Sequence, residues 1–155
     1  MSVSRTLYLP DLAATARLGA RLAARLAVGD IVCLTGDLGA GKTTLARQII
    51  ADLCDVHDAP SPTYTIVQVY DTTAGAPLWH VDLYRIEESG ELTELGLEDA
   101  FDGAITLIEW PDRLGDDLPA DRLEISLAMG PAGVETARQA RITGLGNWES
   151  RIDDL

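Results

Sequence analysis

The chain is 155 residues long with a formal net charge of −13, which allows one domain built on one core and leaves no room for a second, substrate-binding domain. So acidic a surface repels phosphate backbones, and no stable direct grip on nucleic acid is expected. The N-terminus has no charged-then-apolar leader and no apolar run nears membrane-spanning length, so the expectation is a soluble cytoplasmic protein, neither exported nor embedded in a membrane.

Residues 5–9 alternate weakly and read as an edge strand. Pro10 and Asp11 then open a helix to about residue 27, with Asp11 as its N-cap. Leu18, Leu22 and Leu26 line its apolar stripe, and Arg17, Arg21 and Arg25 form a basic stripe beside it whose default is a solvated face. Residues 30–35 are a short apolar run with β-branched side chains, the mark of a buried strand.

The octapeptide that follows, Gly36-Asp37-Leu38-Gly39-Ala40-Gly41-Lys42-Thr43, fits the phosphate-loop pattern G-x-x-x-x-G-K-[ST]. Lys42 is the only lysine of the chain; the other eleven basic residues are arginine. A phosphate loop needs a compact ammonium between the β- and γ-phosphates, and a planar guanidinium fork is too wide and rigid for that cradle. The glycines let backbone N–H groups turn inward onto phosphates, and the Thr43 hydroxyl can serve Mg²⁺. Beyond the loop, Leu45, Ile49 and Leu53 recur every four residues beside Ala46, Ile50 and Cys54, while Arg47, Gln48 and Asp52 point away. Strand, glycine loop and helix in that order suit anion binding, because the helix start, including Thr44, adds its own N–H groups and dipole.

Residues 55–62 read as a loop. Residues 64–70 and 78–84 read as two strands joined by a hairpin connection at 72–77, and residues 87–96 as a short acidic helix. Residues 104–108 form another buried-strand run ending in Glu109-Trp110-Pro111, and strands at 122–129 and 134–142 flank a Gly-Pro-Ala-Gly turn. The sum is a single α/β domain of the P-loop NTPase-like kind, a mixed sheet with a parallel core and antiparallel flanking strands. Its core spans about 5–142, with 143–155 a tail. Cys33 and Cys54 fall in the buried strand and on the helix core face, as packed thiols of a reducing cytosol rather than a disulfide or metal pair. Residues 87–124 hold 13 acids against Arg113 and Arg122, either a solvated face or a docking surface for a basic partner.

A nucleotide bound with Mg²⁺ needs an acid on a neighbouring strand to hold the metal or one of its waters. Glu109 is best placed, since it would emerge at a strand's carboxyl end, where ligands sit in open α/β sheets. A charged strand end is also often merely solvated, and the residues alone leave both readings open. Alternation puts His80, Asp82 and Tyr84 on one face and Trp79, Val81 and Leu83 on the other. A carboxylate in such an apolar strand wants a cation, a hydrogen-bonding partner or a metal-bound water, and Asp82 could orient an attacking water. His80 alone reads as a core or interface histidine. Hydroxyls of Ser61, Thr63 and Thr65 could sense a γ-phosphate as switch loops do, or be plain turn and strand residues.

With the phosphate loop, Ser61-Pro62-Thr63-Tyr64-Thr65, His80-Val81-Asp82-Leu83-Tyr84-Arg85 and Ile108-Glu109-Trp110-Pro111 in this order, the chain resembles the TsaE (YjeE) family over about residues 9–142. Members are small bacterial P-loop ATPases needed for making threonylcarbamoyladenosine in tRNA. The resemblance implies ATP and Mg²⁺ as cofactors, and TsaB and TsaD as a partner pair that carries out the transfer while the ATP cycle supports repeated turnover. It implies Lys42, Asp82 and Glu109 as the catalytic set: Lys42 on the phosphates, Glu109 with Thr43 on Mg²⁺, Asp82 positioning water. It also implies a nucleotide-binding loop from Gly36 through Thr44, a switch-like segment at Ser61, Thr63 and Thr65, Trp110 as a reporter of nucleotide state, and Asp11 and Arg138 flanking the base.

Three rivals remain at this level. A small metabolite kinase would need an acceptor pocket and an arginine-bearing lid, and no Arg-rich lid is visible. A GTP-dependent switch would commonly use an Asn-Lys-x-Asp element, for which Asn147 and the committed Lys42 do not suffice. A nucleotide-gated binding module with negligible hydrolysis differs only in the placement of one water.

Overall fold

The most apolar strands of the chain lie inside a seven-stranded mixed sheet. In the computed structural model, which describes residues 2–62, 66–87, 89–130, 134–153 and 155, the elements follow as β1 (Ser2–Leu9), α1 (Leu12–Ala23), β2 (Ile31–Thr35), α2 (Lys42–Cys54), β3 (Val67–Asp71), β4 (Pro77–Asp82), α3 (Ser89–Glu94), α4 (Leu97–Gly103), β5 (Ile105–Glu109), β6 (Arg122–Met129) and β7 (Arg138–Leu145). Short 3-10 turns at Pro111–Asp117 and Gly146–Trp148 complete them. The strand order is β1-β7-β6-β2-β5-β4-β3. β6, β2, β5 and β4 run parallel, and β3, β7 and β1 are added antiparallel at the two sides, the single α/β domain expected.

Every residue of β2 except Thr35, and every residue of β5, is buried, so these strands have no solvent face to alternate with. Alternation instead divides their side chains between two apolar layers. Val32, Leu34 and Leu107 join Leu18 and Leu22 of α1 and Leu45 and Ile49 of α2 in the larger core. Ile31, Cys33, Val81, Leu83 and Ile108 face the other way, under Leu92 and Leu97 of the two short acidic helices. Both cysteines are free and buried, as read from the sequence.

Several boundaries differ from the sequence pattern. The first helix stops at Ala23 because the Asp30 carboxylate accepts from the Ala27 N–H at 2.8 Å and turns the chain back into β2. Gln48 is half-buried rather than turned away: α1 crosses α2 at Gly19, where a methyl group would stand 2.7 Å from the Gln48 Cβ. β3 starts only at Val67, since Ile66 has a φ of 68°, and Thr63, Tyr64 and Thr65 lie outside the described residues. The acidic helix read at 87–96 is α3, and a second short helix, α4, follows it. β7 starts at Arg138 and runs on to Leu145, in register with all of β1. Residues 143–155 therefore do not hang free as a tail. Trp148, Ile152 and Leu155 fill the larger core. Arg151 stacks 3.6 Å above the Trp148 ring and makes two 2.8 Å bonds to the Asp30 carboxylate, which raises the already high pKa of its guanidinium.

Candidate functional site

The carboxyl ends of three neighbouring strands finish level. Leu34 pairs with Glu109 across β2 and β5, and Asp82 pairs with Glu109 across β4 and β5. Both acids fall on the sheet face that α2 covers, and both are buried, Asp82 at 4% and Glu109 at 2% exposure. The chain leaves β2 through Gly36, whose φ of 138° and contact with β6 leave no room for a side chain: a Cβ would run into the Leu127 carbonyl. The loop turns back at Asp37, whose carbonyl accepts from the Ala40 N–H at 3.0 Å, and delivers Lys42 and Thr43 to the first turn of α2.

Four side chains meet there. The Thr43 hydroxyl donates to Glu109 Oε1 at 2.8 Å. His80 Nε2 lies 2.7 Å from Glu109 Oε2, with the ring fully buried and Nδ1 lacking a hydrogen-bonding partner among the described residues. The Lys42 ammonium arches over the loop to donate to the Gly36 carbonyl and, at 3.0 Å, to that of Asp37. Burial pulls its pKa below the ordinary lysine value, against the opposing pull of Glu109, Asp82 and Asp37. The same ammonium stands 4.4 Å from the centre of the Trp110 ring, which in turn packs on Tyr84 at 4.9 Å. Trp110 adopts a φ of 60° just ahead of Pro111, a left-handed conformation that stores about 1–3 kcal/mol of strain and is held by these contacts.

Leu38, Gly39, Gly41, Lys42, Thr43, Thr44, Asp82, Tyr84, Glu109, Trp110 and Arg138 line one open cleft of about 250 Å³. The structure thus gathers most of the sequence-predicted site residues in one place. Gly36 and Asp37 stand behind it as carbonyl acceptors for Lys42, and Ala40 faces a smaller hollow alongside, next to Leu12 and Thr15. Two of the predicted residues also make structural hydrogen bonds, one of them the cap already read from the sequence. Asp11 caps α1, accepting from the Ala14 N–H at 2.8 Å. Arg138 donates to the carbonyls of Ala40 at 2.9 Å and Gly39 at 3.2 Å, pinning the glycine loop to the start of β7. Ser61 is half-buried in the loop after α2, outside the cleft's lining, and Thr63 and Thr65 lie outside the described residues. The sequence pattern alone does not assign His80 and Tyr84 to the site, although their shared alternation with Asp82 is the signal for both. A hollow of about 270 Å³ under α3 and α4, floored by Leu92, Leu97 and Leu114 and rimmed by Glu98, Asp99 and Asp117, contains none of the predicted site residues.

The donor set has a definite chemical character. A hydroxyl, two carboxylates and an ammonium converge beside a helix N-terminus, and among the described residues no cluster of three or more acids, histidines or cysteines forms a metal cage. Such a set fits Mg²⁺, which keeps most of its water and takes few protein ligands alongside phosphate oxygens.

Fold and site together define a single-domain α/β protein with a glycine loop at the carboxyl end of a mixed sheet. A crystal structure of Bacillus subtilis YdiB shares this architecture, with a TM-score of 0.79 and 28% sequence identity over 97% of this chain and 92% of that one. The family model described as threonylcarbamoyl adenosine biosynthesis protein TsaE matches residues 9–139. Proteins named tRNA threonylcarbamoyladenosine biosynthesis protein TsaE are similar: 42% identical in Rickettsia bellii over 69% of this chain and 74% of that one, 38% in Streptomyces coelicolor over 83% and 89%, and 37% in Bacillus subtilis over 82% and 78%. The chain belongs to the TsaE family. No helix among the described residues is long and apolar enough to cross a membrane.

Proposed function

We propose that this protein binds ATP with Mg²⁺ and hydrolyses it slowly, in support of tRNA threonylcarbamoyladenosine biosynthesis in the cytoplasm, under the control of a TsaB–TsaD pair. Membership of the TsaE family supports the pathway. The observation that carries the chemistry is the meeting of Lys42, Thr43, Asp82 and Glu109 in one cleft at the level ends of adjoining parallel strands.

Each residue has a physical task in this reading. Lys42, now satisfied by loop carbonyls, exchanges them for phosphate oxygens, and the loop N–H groups add to the anion site. Thr43 and Glu109, already joined by a hydrogen bond, would hold Mg²⁺ or its waters. The ion supplies charge neutralisation on the phosphates when bound. Asp82, level with Glu109 and accepting from the Tyr84 N–H at 2.9 Å, is fixed where it can orient a water. Trp110, packed on Lys42, must respond when phosphate displaces that contact, so its fluorescence reports on nucleotide state. Among the described residues the cleft is open to solvent, so slow hydrolysis alone with faster hydrolysis in a complex is expected.

Steady-state ATP hydrolysis, with and without the TsaB–TsaD pair, tests this. A low rate that rises several-fold with the pair supports the proposal. A rate indifferent to the pair, or phosphate appearing on a metabolite instead of in solution, overturns it in favour of a small kinase.

A further inference from the structure

The proposed chemistry leaves one buried polar side chain of the site without a task. His80 sits in the middle of β4, across from Leu107 of β5 and Gln68 of β3, and its ring has no exposed surface. A carboxylate oxygen only accepts, so at 2.7 Å from Glu109 Oε2 the hydrogen belongs to His80 Nε2. That leaves Nδ1 buried without a partner among the described residues. An apolar side chain of similar size would fill the same space without stranding such an atom, so packing alone does not account for a histidine here.

What the histidine does is visible on Glu109. The carboxylate is held at both oxygens, Oε1 by the Thr43 hydroxyl and Oε2 by the imidazole. Two bonds from opposite sides fix its plane and keep one edge turned toward the start of α2. With the imidazole gone, Glu109 would be held by Thr43 alone, the group that a cation must share. We infer that His80 is a positioning residue: its Nε2–H holds the far oxygen of Glu109 so that the near oxygen stays presented to Thr43 and to a hydrated Mg²⁺. This rests on reading the Thr43–Glu109 pair as the Mg²⁺ site. Partners that orient a metal-binding side chain in this way are worth about 10–100-fold in metal affinity.

Side-chain geometry supplies the test. A glutamine at position 80 places its amide nitrogen where Nε2 stands, whereas an asparagine reaches only the position of Nδ1. His80→Gln and His80→Asn are equally polar and differ only in whether they reach Glu109; His80→Leu removes the donor altogether. Calorimetric titration of ADP at a series of Mg²⁺ concentrations, with a thermal melt of each variant, gives the metal-free nucleotide affinity and the half-saturating Mg²⁺ separately. The expected result is unchanged metal-free affinity throughout. Half-saturating Mg²⁺ rises about 10–100-fold in His80→Asn and His80→Leu and stays within about threefold of wild type in His80→Gln. Equal Mg²⁺ dependence in the glutamine and asparagine variants would overturn the inference, and so would a loss that follows the melting temperature and affects metal-free binding alike. If His80→Leu does not fold, the glutamine–asparagine pair decides by itself. Failure of the underlying reading looks different: Glu109→Gln would then leave the Mg²⁺ dependence of the wild type untouched, and the inference would fall with it.

Discussion

The inner strands β2 and β5 and the outer ribbon β6-β7-β1 use side chains in different ways. On the inner pair only Thr35 is not buried, while β6 and β7 alternate between the larger core and water. A strand covered on both faces and paired on both edges cannot shift, so a carboxylate at its end is held dry and level with its neighbours. Glu109 is such a group. The ribbon instead supplies backbone and support: the Leu127 carbonyl that excludes a side chain at Gly36, and the Arg138 guanidinium that pins the glycine loop. On the proposed reading, chemistry falls to the part of the sheet with least freedom, and its surroundings are shaped by the part with more.

Substitutions can test that division. Gly36→Ala is expected to have the largest effect, since the methyl meets the Leu127 carbonyl at a φ of 138°. It should abolish ATP binding and lower stability by about 2 kcal/mol or more, read by calorimetry and urea unfolding. Next come paired changes in the two regions. Leu107→Ala in β5 removes a fully buried side chain and should cost about 2–5 kcal/mol. Thr143→Ala in β7 loses only an exposed 2.9 Å bond to Ser4 and should stay within about 0.5 kcal/mol. Similar urea midpoints for the two variants would break the comparison.

Cys33 gives a smaller, pH-dependent effect. Burial, aided by nearby Glu124, pushes its thiol from 9.0 up to about 12. Between those values the unfolded chain has released a proton that the folded chain still holds. Stability therefore falls as pH rises through this window, by up to about 1.4 kcal/mol per pH unit. Urea midpoints at pH 8 and pH 10.5 should show this decline, and Cys33→Ala should lessen it. Asp11→Ala, which removes the cap of α1, should cost about 1 kcal/mol in the same assay.

How much of this was legible in the sequence depended on how local each feature is. β2, the glycine loop and α2 were readable because they form one continuous stretch whose period changes at the loop. The place of Glu109 was readable because its preceding run marks a buried strand that ends there. The bond from His80 to Glu109 joins residues 29 apart, and only the register of β4 against β5 brings them together. α4 is not legible because its buried Leu97 and Ala100 are too few to display a helical period. Residues after 142 looked like a tail because their apolar members are sparse. Yet Gly144 admits the Trp148 backbone and Ile152 so closely that a side chain there would stand 2.8 Å from the Ile152 methyl, which allows the segment to close the larger core. The bonds from Arg138 to the loop carbonyls were not legible, since they join residues 98 and 99 apart, although its place beside the cleft was.

On the proposed reading, the cleft at the ends of the inner strands is a nucleotide site. Isothermal titration of ATP with Mg²⁺ into the wild type and into Lys42→Ala tests that most directly, with a thermal melt to confirm the fold. The prediction is one-to-one binding by the wild type and none by a Lys42→Ala variant that melts as a folded protein. Equal binding by both would contradict it, and would move the nucleotide, if it binds at all, to another part of the molecule.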